Sequence, residues 1–185
     1  MSTDPPMASA LFLDRDGVLN VRPPMDYVKT AAELVPAPGV GEAVAMLSGM
    51  FDRIVVVTNQ AGIGKGLMSE EDLAAVHQVL LDHIEAAGGR IDAVYYCPHR
   101  KETGCECRKP ATGMARQANI QFPEIDFSRS WMVGDSASDM VFGQGLGMRT
   151  VLIEGKFEEA EILAEMTIDY RFESLLDFAR FLRGC

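Results

Sequence analysis

The chain is short of positive charge. It has 17 lysines and arginines against 27 aspartates and glutamates, a net charge of -10 at neutral pH. Because such a surface repels phosphate backbones and anionic headgroups, we expect neither nucleic acid nor a membrane surface as a partner. A small anionic substrate is still compatible, since a single site can be locally positive on an acidic protein.

Long apolar runs, repeats and linkers are also lacking in the sequence. No stretch is long enough to cross a bilayer, and the start of the chain lacks the basic flank and apolar core of a secretory signal. We therefore expect a cytoplasmic protein, and we also expect a monomer. Residues 1–9 should form a flexible tail, and residues 10–185 should form a single domain.

What the sequence does contain is an alternation of short apolar runs and amphipathic segments. The predicted strands are residues 10–13, 53–58, 93–96, 130–133 and 150–153. The predicted helices are residues 40–49, 70–88, 112–119, 137–145 and 173–182. This order predicts an α/β fold, a Rossmann-like three-layer α/β/α sandwich with a central, mostly parallel sheet. Residues 155–172 match no element that we can assign.

Polar side chains follow the predicted strands, where ligands bind in such a sheet. Asp14 and Asp16 end the first strand. An aspartate that caps the turn after the strand would explain one of these acids but not both. A divalent cation, or a reaction that needs one carboxylate as nucleophile and the other as acid and base, would explain the pair. Residues 58–60 could hold a phosphoryl oxygen, although taken alone they are more typical of a polar strand exit. Asp135, after the fourth strand, could complete a Mg²⁺ site.

Two further groups of charged residues accompany these acids. Arg108 and Lys109 precede a predicted helix. They could neutralise a phosphoryl group, but such a pair in isolation is also typical of a solvated loop. Asp139 lies one helical turn after Asp135 and could brace the loop. A helix dipole would favour an acid at that place as well.

Three of the four cysteines cluster with a histidine in one short loop, residues 97–107. Cys97, His99, Cys105 and Cys107 offer four soft ligands, which favours a closed, structural zinc site over a disulfide framework. A catalytic zinc would keep one position open. We assign no role to Cys185, a free terminal thiol, or to His77 and His83, which we interpret as solvated or packing residues.

The motifs D-R-D-G, T-N-Q, R-K-P and G-D-x-x-x-D occur here in that order. Together they resemble the haloacid-dehalogenase-like phosphohydrolases over about residues 11–153. The resemblance implies a Mg²⁺-dependent phosphomonoesterase that acts through an aspartyl-phosphate. Asp14 would be the nucleophile, and Asp16 would be the general acid and base. The substrate side would comprise Arg15, Arg22, Thr58, Asn59, Gln60, Arg108 and Lys109.

The same resemblance implies the metal ligands. Asp14, Asp135 and the backbone carbonyl of Asp16 would hold the catalytic Mg²⁺, with Asp139 in support. The cluster at residues 97–107 would hold a structural Zn²⁺. The zinc loop resembles that of one subgroup of the family, whose members act on heptose 1,7-bisphosphate or on histidinol phosphate.

The intervals between the motifs are too short for a large cap domain, so we expect a partly open crevice, rimmed by residues 22–27 and the zinc loop. The rim carries more bases than acids, which favours a sugar bisphosphate over the cationic histidinol phosphate. The bases are Arg22, Lys65, Arg100, Lys101 and Arg108, and the acids are Asp26, Glu102 and Glu106. A non-catalytic module that binds phosphorylated ligands is the alternative of another class, although a binder has no use for Asp16.

Overall fold

A computed structural model describes residues 8–184 of the chain. The strands are β1 (Ala8–Leu13), β2 (Phe51–Asn59), β3 (Ala93–Cys97), β4 (Trp131–Gly134), β5 (Arg149–Ile153) and β6 (Tyr170–Phe172). The helices are α1 (Val40–Leu47), α2 (Ala61–Gly64), α3 (Glu70–Ala86), α4 (Gly113–Gln121), α5 (Ala137–Gly145), α6 (Ala160–Glu165) and α7 (Leu175–Arg183). Short 3₁₀ turns lie at Ala31–Glu33, Lys101–Thr103, Phe127–Arg129 and Phe157–Glu159.

The strands form one sheet in the order β3-β2-β1-β4-β5-β6, and every described strand pair is parallel. The chain builds outward from β1 through β2 and β3, then returns to β4 on the other side of β1 and continues through β5 to β6. A crevice opens where the winding direction reverses, between the carboxyl ends of β1 and β4. The predicted sandwich with a parallel sheet is confirmed.

Strand β1 shows how the two faces of the sheet are covered. Leu11 and Leu13 point into the core formed with α1, α3 and α7. Ala10 and Phe12 point into the opposite core, formed with α4 and α5. All four side chains have no solvent exposure, as expected for a strand covered on both faces. The acids that follow β1 are therefore held by a rigid central strand.

Helix α3 begins at a capping box. The Ser69 hydroxyl accepts from the backbone N–H of Asp72, and the Asp72 carboxylate accepts from the backbone N–H of Ser69. The apolar face of the helix is buried against the sheet, and this burial contributes most of the stability of such a helix. Among residues 8–184, no helix combines the length and the apolar character needed to span a membrane.

The structure differs from the prediction at the two ends of the described chain. Strand β1 begins at Ala8, so the last two residues of the predicted tail belong to the sheet. Residues 1–7 and Cys185 lie outside the described residues. The unassigned stretch 155–172 contains α6 and the edge strand β6. Between β1 and β3 the described chain contains only helices, turns and β2, so no cap domain is inserted there.

Candidate active site

Three acids meet at the crevice between β1 and β4. Asp14 follows β1, and its backbone N–H donates to the Val133 carbonyl of β4 at 2.9 Å. One carboxylate oxygen each of Asp14, Asp135 and Asp139 lies within 4.8 Å of the others, and all three residues are buried. Buried carboxylates at such distances repel one another, so this corner of the crevice requires positive charge.

Lys109 supplies part of that charge from inside the protein. Its Nζ lies 2.9 Å from Asp14 Oδ1 and 2.6 Å from Asp139 Oδ1, and it donates to the Val57 carbonyl at 2.7 Å. Burial alone would lower the pKa of this amine. The charges of Asp139 and Asp14 outweigh that effect and raise the pKa, so the ammonium stays protonated.

Neighbouring side chains hold Lys109 and Asp139 in place. The Asn59 amide donates to the Lys109 carbonyl at 3.1 Å and accepts from the Lys109 N–H at 3.0 Å. Asp139 Oδ2 accepts from the backbone N–H and hydroxyl of Ser136 at the start of α5. Gly134 permits this approach, since a Cβ there would lie 2.2 Å from Asp139 Cβ. Hydrogen bonds thus fix the backbone of Lys109 and the carboxylate of Asp139.

Arg22 marks a second cationic position beside Asp135. Its guanidinium makes a bidentate pair of hydrogen bonds to the Asp135 carboxylate, at 2.6 and 2.9 Å. It also donates to the Asp16 carbonyl at 3.3 Å. Gly17, at φ +88°, allows the contact between the loop and Asp135, because a Cβ there would lie 2.0 Å from Asp135 Oδ2.

The raised pKa values of Asp14 and Asp135 show buried, crowded negative charge, which a bound cation would neutralise. Burial, then the charge of Asp14, raises the pKa of Asp135 to about 7. Burial, then the charge of Asp139, raises the pKa of Asp14 to about 6. Carboxylate and carbonyl oxygens are the ligands that Mg²⁺ prefers. Since the oxygens of Asp135 and Asp16 already converge on one cationic group, the donor set fits a magnesium ion.

Asp16 lies in a different environment from Asp14. Its Oδ1 accepts from Arg15 Nη2 at 2.9 Å and from Asn20 Nδ2 at 3.0 Å, and its Oδ2 accepts from Gln60 Nε2 at 2.9 Å. Burial would raise the pKa of Asp16, but the Arg15 charge and these hydrogen bonds together hold it below its ordinary value. The two neighbouring acids therefore lie in different electrostatic environments, Asp14 among other acids and Asp16 against a guanidinium.

The predicted position of Arg15 in the substrate site is wrong for its side chain. The side chain has no solvent exposure, and its guanidinium is bound to Asp16 inside the protein. The amides of Asn59 and Gln60 also serve internal contacts, and the Gln60 amide donates to the Thr58 hydroxyl at 2.8 Å. Arg108 differs from these, because its Nη1 is buried with no hydrogen-bond partner among the described residues.

Two residues of the site received no assignment from the sequence. Asn20 holds Asp16, as described above, and its amide also donates to the Val21 carbonyl at 2.9 Å. His77 is buried on α3, and its Nε2 lies 3.3 Å from Arg15 Nη1. The signal for His77 was its place on the apolar stripe of the helix, four residues after Leu73 and three before Leu80. His83, in contrast, is exposed.

The pKa of His77 gives a testable pH dependence. Burial, then the charge of Arg15, lowers this pKa from 6.5 to about 4, against a smaller opposing effect of Asp16. The ring also lies edge-on to Tyr96. Because the unfolded chain binds the proton more tightly, the folded state loses stability as the pH falls from about 6.5 to about 4. We expect this loss to reach about 3 kcal/mol.

Urea titrations of the wild type and of His77→Gln across this pH range measure the effect. Other groups also titrate there, but they are common to both proteins, so the difference between the two pH curves reports His77. A constant difference between pH 7 and pH 4 would contradict the buried, neutral imidazole.

The four predicted zinc ligands converge at the carboxyl end of β3. The Sγ atoms of Cys97, Cys105 and Cys107 lie 3.1 to 3.5 Å apart, and His99 Nδ1 lies 3.1 Å from Cys107 Sγ. Ligands on a zinc tetrahedron are about 3.7 Å apart, given Zn–S bonds of about 2.3 Å. The chemistry and spacing of the cluster therefore fit Zn²⁺, and its thiols are free of disulfides.

An open cleft of about 530 Å³ borders Arg22 and Asp135. The loop after β1 forms one wall, and the other walls come from residues 153–158 at and after the end of β5 and from residues 173–175 at the start of α7. The stretch that the sequence left unassigned thus contributes to the rim. On the zinc-loop side, Arg100 Nε donates to the Gly64 carbonyl at 2.7 Å, so the zinc loop packs against α2.

Comparisons with known proteins show which proteins this chain resembles. A family model described as HAD-hydrolase-like matches residues 106–178. The D-glycero-β-D-manno-heptose-1,7-bisphosphate 7-phosphatase of Pseudomonas aeruginosa is 40% identical over 146 residues, which cover 79% of this chain and 81% of that protein. The D-glycero-α-D-manno-heptose-1,7-bisphosphate 7-phosphatase of Mycobacterium bovis is 40% identical over 130 residues, which cover 70% of this chain and 68% of that protein.

A solved structure resembles the whole described fold. The crystal structure of D,D-heptose 1,7-bisphosphate phosphatase from B. bronchiseptica, complexed with magnesium and phosphate, matches with a TM-score of 0.86 at 30% identity. The match covers 95% of this chain and 98% of that one. The resemblance predicted from the motifs is confirmed, and the chain belongs to the haloacid-dehalogenase-like phosphohydrolases, the family of these heptose-bisphosphate phosphatases.

Proposed function

We propose that this chain removes the 7-phosphate of D-glycero-β-D-manno-heptose 1,7-bisphosphate through an aspartyl-phosphate on Asp14. The observation that supports it is the contrast between the two acids after β1. Asp14 lies beside Asp135 in the corner of the crevice where Lys109 supplies positive charge, whereas Asp16 is held apart by Arg15 and Gln60. One carboxylate is therefore placed to attack, and the other is placed to move protons.

In the first step an oxygen of Asp14 attacks phosphorus, and the bond from phosphorus to the sugar oxygen breaks. That oxygen takes a proton from Asp16. The incoming phosphate dianion raises the pKa of Asp16 by like charge, which lets this carboxyl carry the proton. In the second step Asp16 takes a proton from water, the water oxygen attacks phosphorus, and the bond to Asp14 breaks to release phosphate.

The other residues of the site support the transferring group. Lys109, whose ammonium lies 2.9 Å from Asp14, would balance the charge of the phosphoryl oxygens. Asp14, Asp135 and the Asp16 carbonyl would hold Mg²⁺, which when bound supplies further positive charge to the phosphoryl oxygens. Free thiols in the zinc cluster support a reducing compartment such as the cytoplasm. The monomeric state stays a prediction.

The choice of a bisphosphate rests on an unsatisfied positive charge on the residue before Lys109. Arg108 Nη1 is buried without a hydrogen-bond partner among the described residues, and such a donor costs free energy unless a ligand completes it. A second phosphate would supply that acceptor, whereas the cationic end of histidinol phosphate would not. The names of the relatives from P. aeruginosa and M. bovis support the same substrate class.

Steady-state kinetics with Mg²⁺ on three substrates tests the proposal. We expect kcat/KM for the β-anomer of the bisphosphate to exceed that for histidinol phosphate by on the order of 10²-fold or more. The α-anomer should fall between them, and ³¹P NMR should show loss of the 7-phosphate alone. A preference for histidinol phosphate would overturn the substrate. Binding without phosphate release from any of the three would favour the non-catalytic module.

A further inference from the structure

Arg15 is an unusual residue for the interior of a protein. Its side chain has no solvent exposure, yet a guanidinium remains charged at any physiological pH. Burying such a charge is costly unless its donors are paired. On one side the pairing is clear, because Nη2 donates to both oxygens of Asp16 at 2.9 and 3.0 Å, and Nε lies 3.3 Å from Oδ1.

His77 provides the partner on the other side. Its Nε2 lies 3.3 Å from Arg15 Nη1, and both groups are buried. Arginine can only donate, so the imidazole must be neutral and must accept through Nε2. The lowered pKa of His77 agrees with a neutral ring. His77 therefore accepts the remaining hydrogen bond of the Arg15 guanidinium, whose other donors bind Asp16.

We propose that His77 is a positioning residue, which acts through Arg15 to hold the Asp16 carboxylate in line for proton transfer. The inference rests on the proposed function, in which Asp16 serves as acid and base. His77 comes from α3, on the far side of the sheet from α4 and α5, and it is not among the residues that line the cleft.

The alternative is that His77 only fills space. The geometry favours a positioning role for His77. Two nitrogens of the Arg15 guanidinium donate to Asp16, and the third lies within hydrogen-bond distance of His77. Without that acceptor, a buried Nη1 is left unpaired and the guanidinium must shift. Asp16 would still be held by Asn20 and Gln60, so the site would stay assembled but its acid would be misplaced. A displacement of about 1 Å is enough to slow a reaction about 10²-fold.

Two substitutions at His77 distinguish a positioning role from space filling. His77→Leu removes the acceptor and keeps an apolar side chain, whereas His77→Gln keeps an acceptor near the position of Nε2. His83→Leu, on the exposed side of the same helix, is the matched control. Single-turnover experiments with enzyme in excess report the first chemical step when release of the sugar or of nitrophenol is followed. Two probes are compared, the heptose bisphosphate, whose leaving oxygen needs a proton, and 4-nitrophenyl phosphate, whose leaving group does not.

We expect His77→Leu to slow release of the sugar between about 10- and 100-fold and release of nitrophenol less than about threefold, while KM for the bisphosphate, measured in steady state, stays unchanged. His77→Gln should restore most of the rate, and His83→Leu should match the wild type. If His77→Leu fails to fold, His77→Asn replaces it, because its shorter amide cannot reach Arg15. Equal slowing of both probes, no slowing, or a Gln variant as slow as Leu would overturn the proposal.

Asp16→Asn distinguishes failure of this inference from failure of the proposed function. It removes the acid itself, so it should show the largest selective loss on the bisphosphate. If Asp16→Asn is selective and His77→Leu is not, only the positioning role is wrong. If Asp16→Asn slows both probes alike, the acid assignment in the proposed function is wrong as well.

Discussion

We expect Asp14→Asn to lose at least about 10⁴-fold in kcat on the heptose bisphosphate. An amide oxygen is a poor nucleophile, and asparagine lacks the negative charge that faces Lys109 at 2.9 Å. The fold should survive, because Lys109 keeps its ion pair with Asp139 and its hydrogen bond to the Val57 carbonyl. The decisive measurement is kcat under saturating Mg²⁺ and substrate, together with the melting temperature of the variant.

Asp52→Asn is the matched control, since it makes the same chemical change at an exposed position on β2. It should keep the wild-type rate. Rapid quenching of the wild type should trap phosphate on the chain, and the same quench of Asp14→Asn should trap none. A correctly folded Asp14→Asn variant with more than about a tenth of the wild-type rate would end the nucleophile assignment, because loss of a nucleophile costs far more than that.

Strands β1, β2, β4 and β5 could be predicted from the sequence because each is an apolar run that lies largely buried inside the sheet. Strand β3 lies at one edge and is mostly half-buried, but its residues still form an apolar run. Strand β6 could not be predicted, since it has only three residues, Arg171 at its centre is exposed, and no apolar run marks it. It forms by pairing with β5, where Tyr170 lies opposite Val151. Its aromatic rings then pack against Trp131 and α7, contacts that exist only in the folded chain.

The acids of the site could also be predicted, because parallel strands bring their carboxyl ends to one edge of the sheet. The side chain of Arg15 could not. Between two acids at a strand end, a base suggests a phosphate ligand, and local sequence does not reveal that it turns inward. Its burial depends on Asp16 beside it and on His77, 62 residues away in the chain. Pairings of such sequence separation are set by the tertiary fold.

The second prediction with a large expected effect concerns the zinc cluster. We expect Cys97→Ser to lower the melting temperature by on the order of 10 °C and to abolish zinc binding. Cys97 is fully buried at the end of β3, so the substitution leaves a buried hydroxyl among three remaining ligands. The loop they close has only a short 3₁₀ turn of its own, and the metal therefore supplies much of its order.

Activity should fall only secondarily. Cys107 lies two residues before Lys109, so a loosened loop disturbs the ammonium beside Asp14. The Asn59 amide, however, clamps the backbone of Lys109 on both its N–H and its carbonyl. At temperatures well below melting, we therefore expect Cys97→Ser to retain measurable turnover, in contrast to Asp14→Asn, because its nucleophile and general acid are intact.

Metal analysis and thermal melting with a zinc-selective chelator, at saturating Mg²⁺, test the role of the cluster. The chelator should lower the melting temperature of the wild type and leave that of Cys97→Ser unchanged, because the variant has no zinc to lose. Cys185→Ser, at the chain's other cysteine, should bind zinc and respond to the chelator as the wild type does. Wild-type protein that is shown to be zinc-free and still melts at its original temperature would refute a structural zinc, since a metal bound to the folded state alone must contribute to its stability.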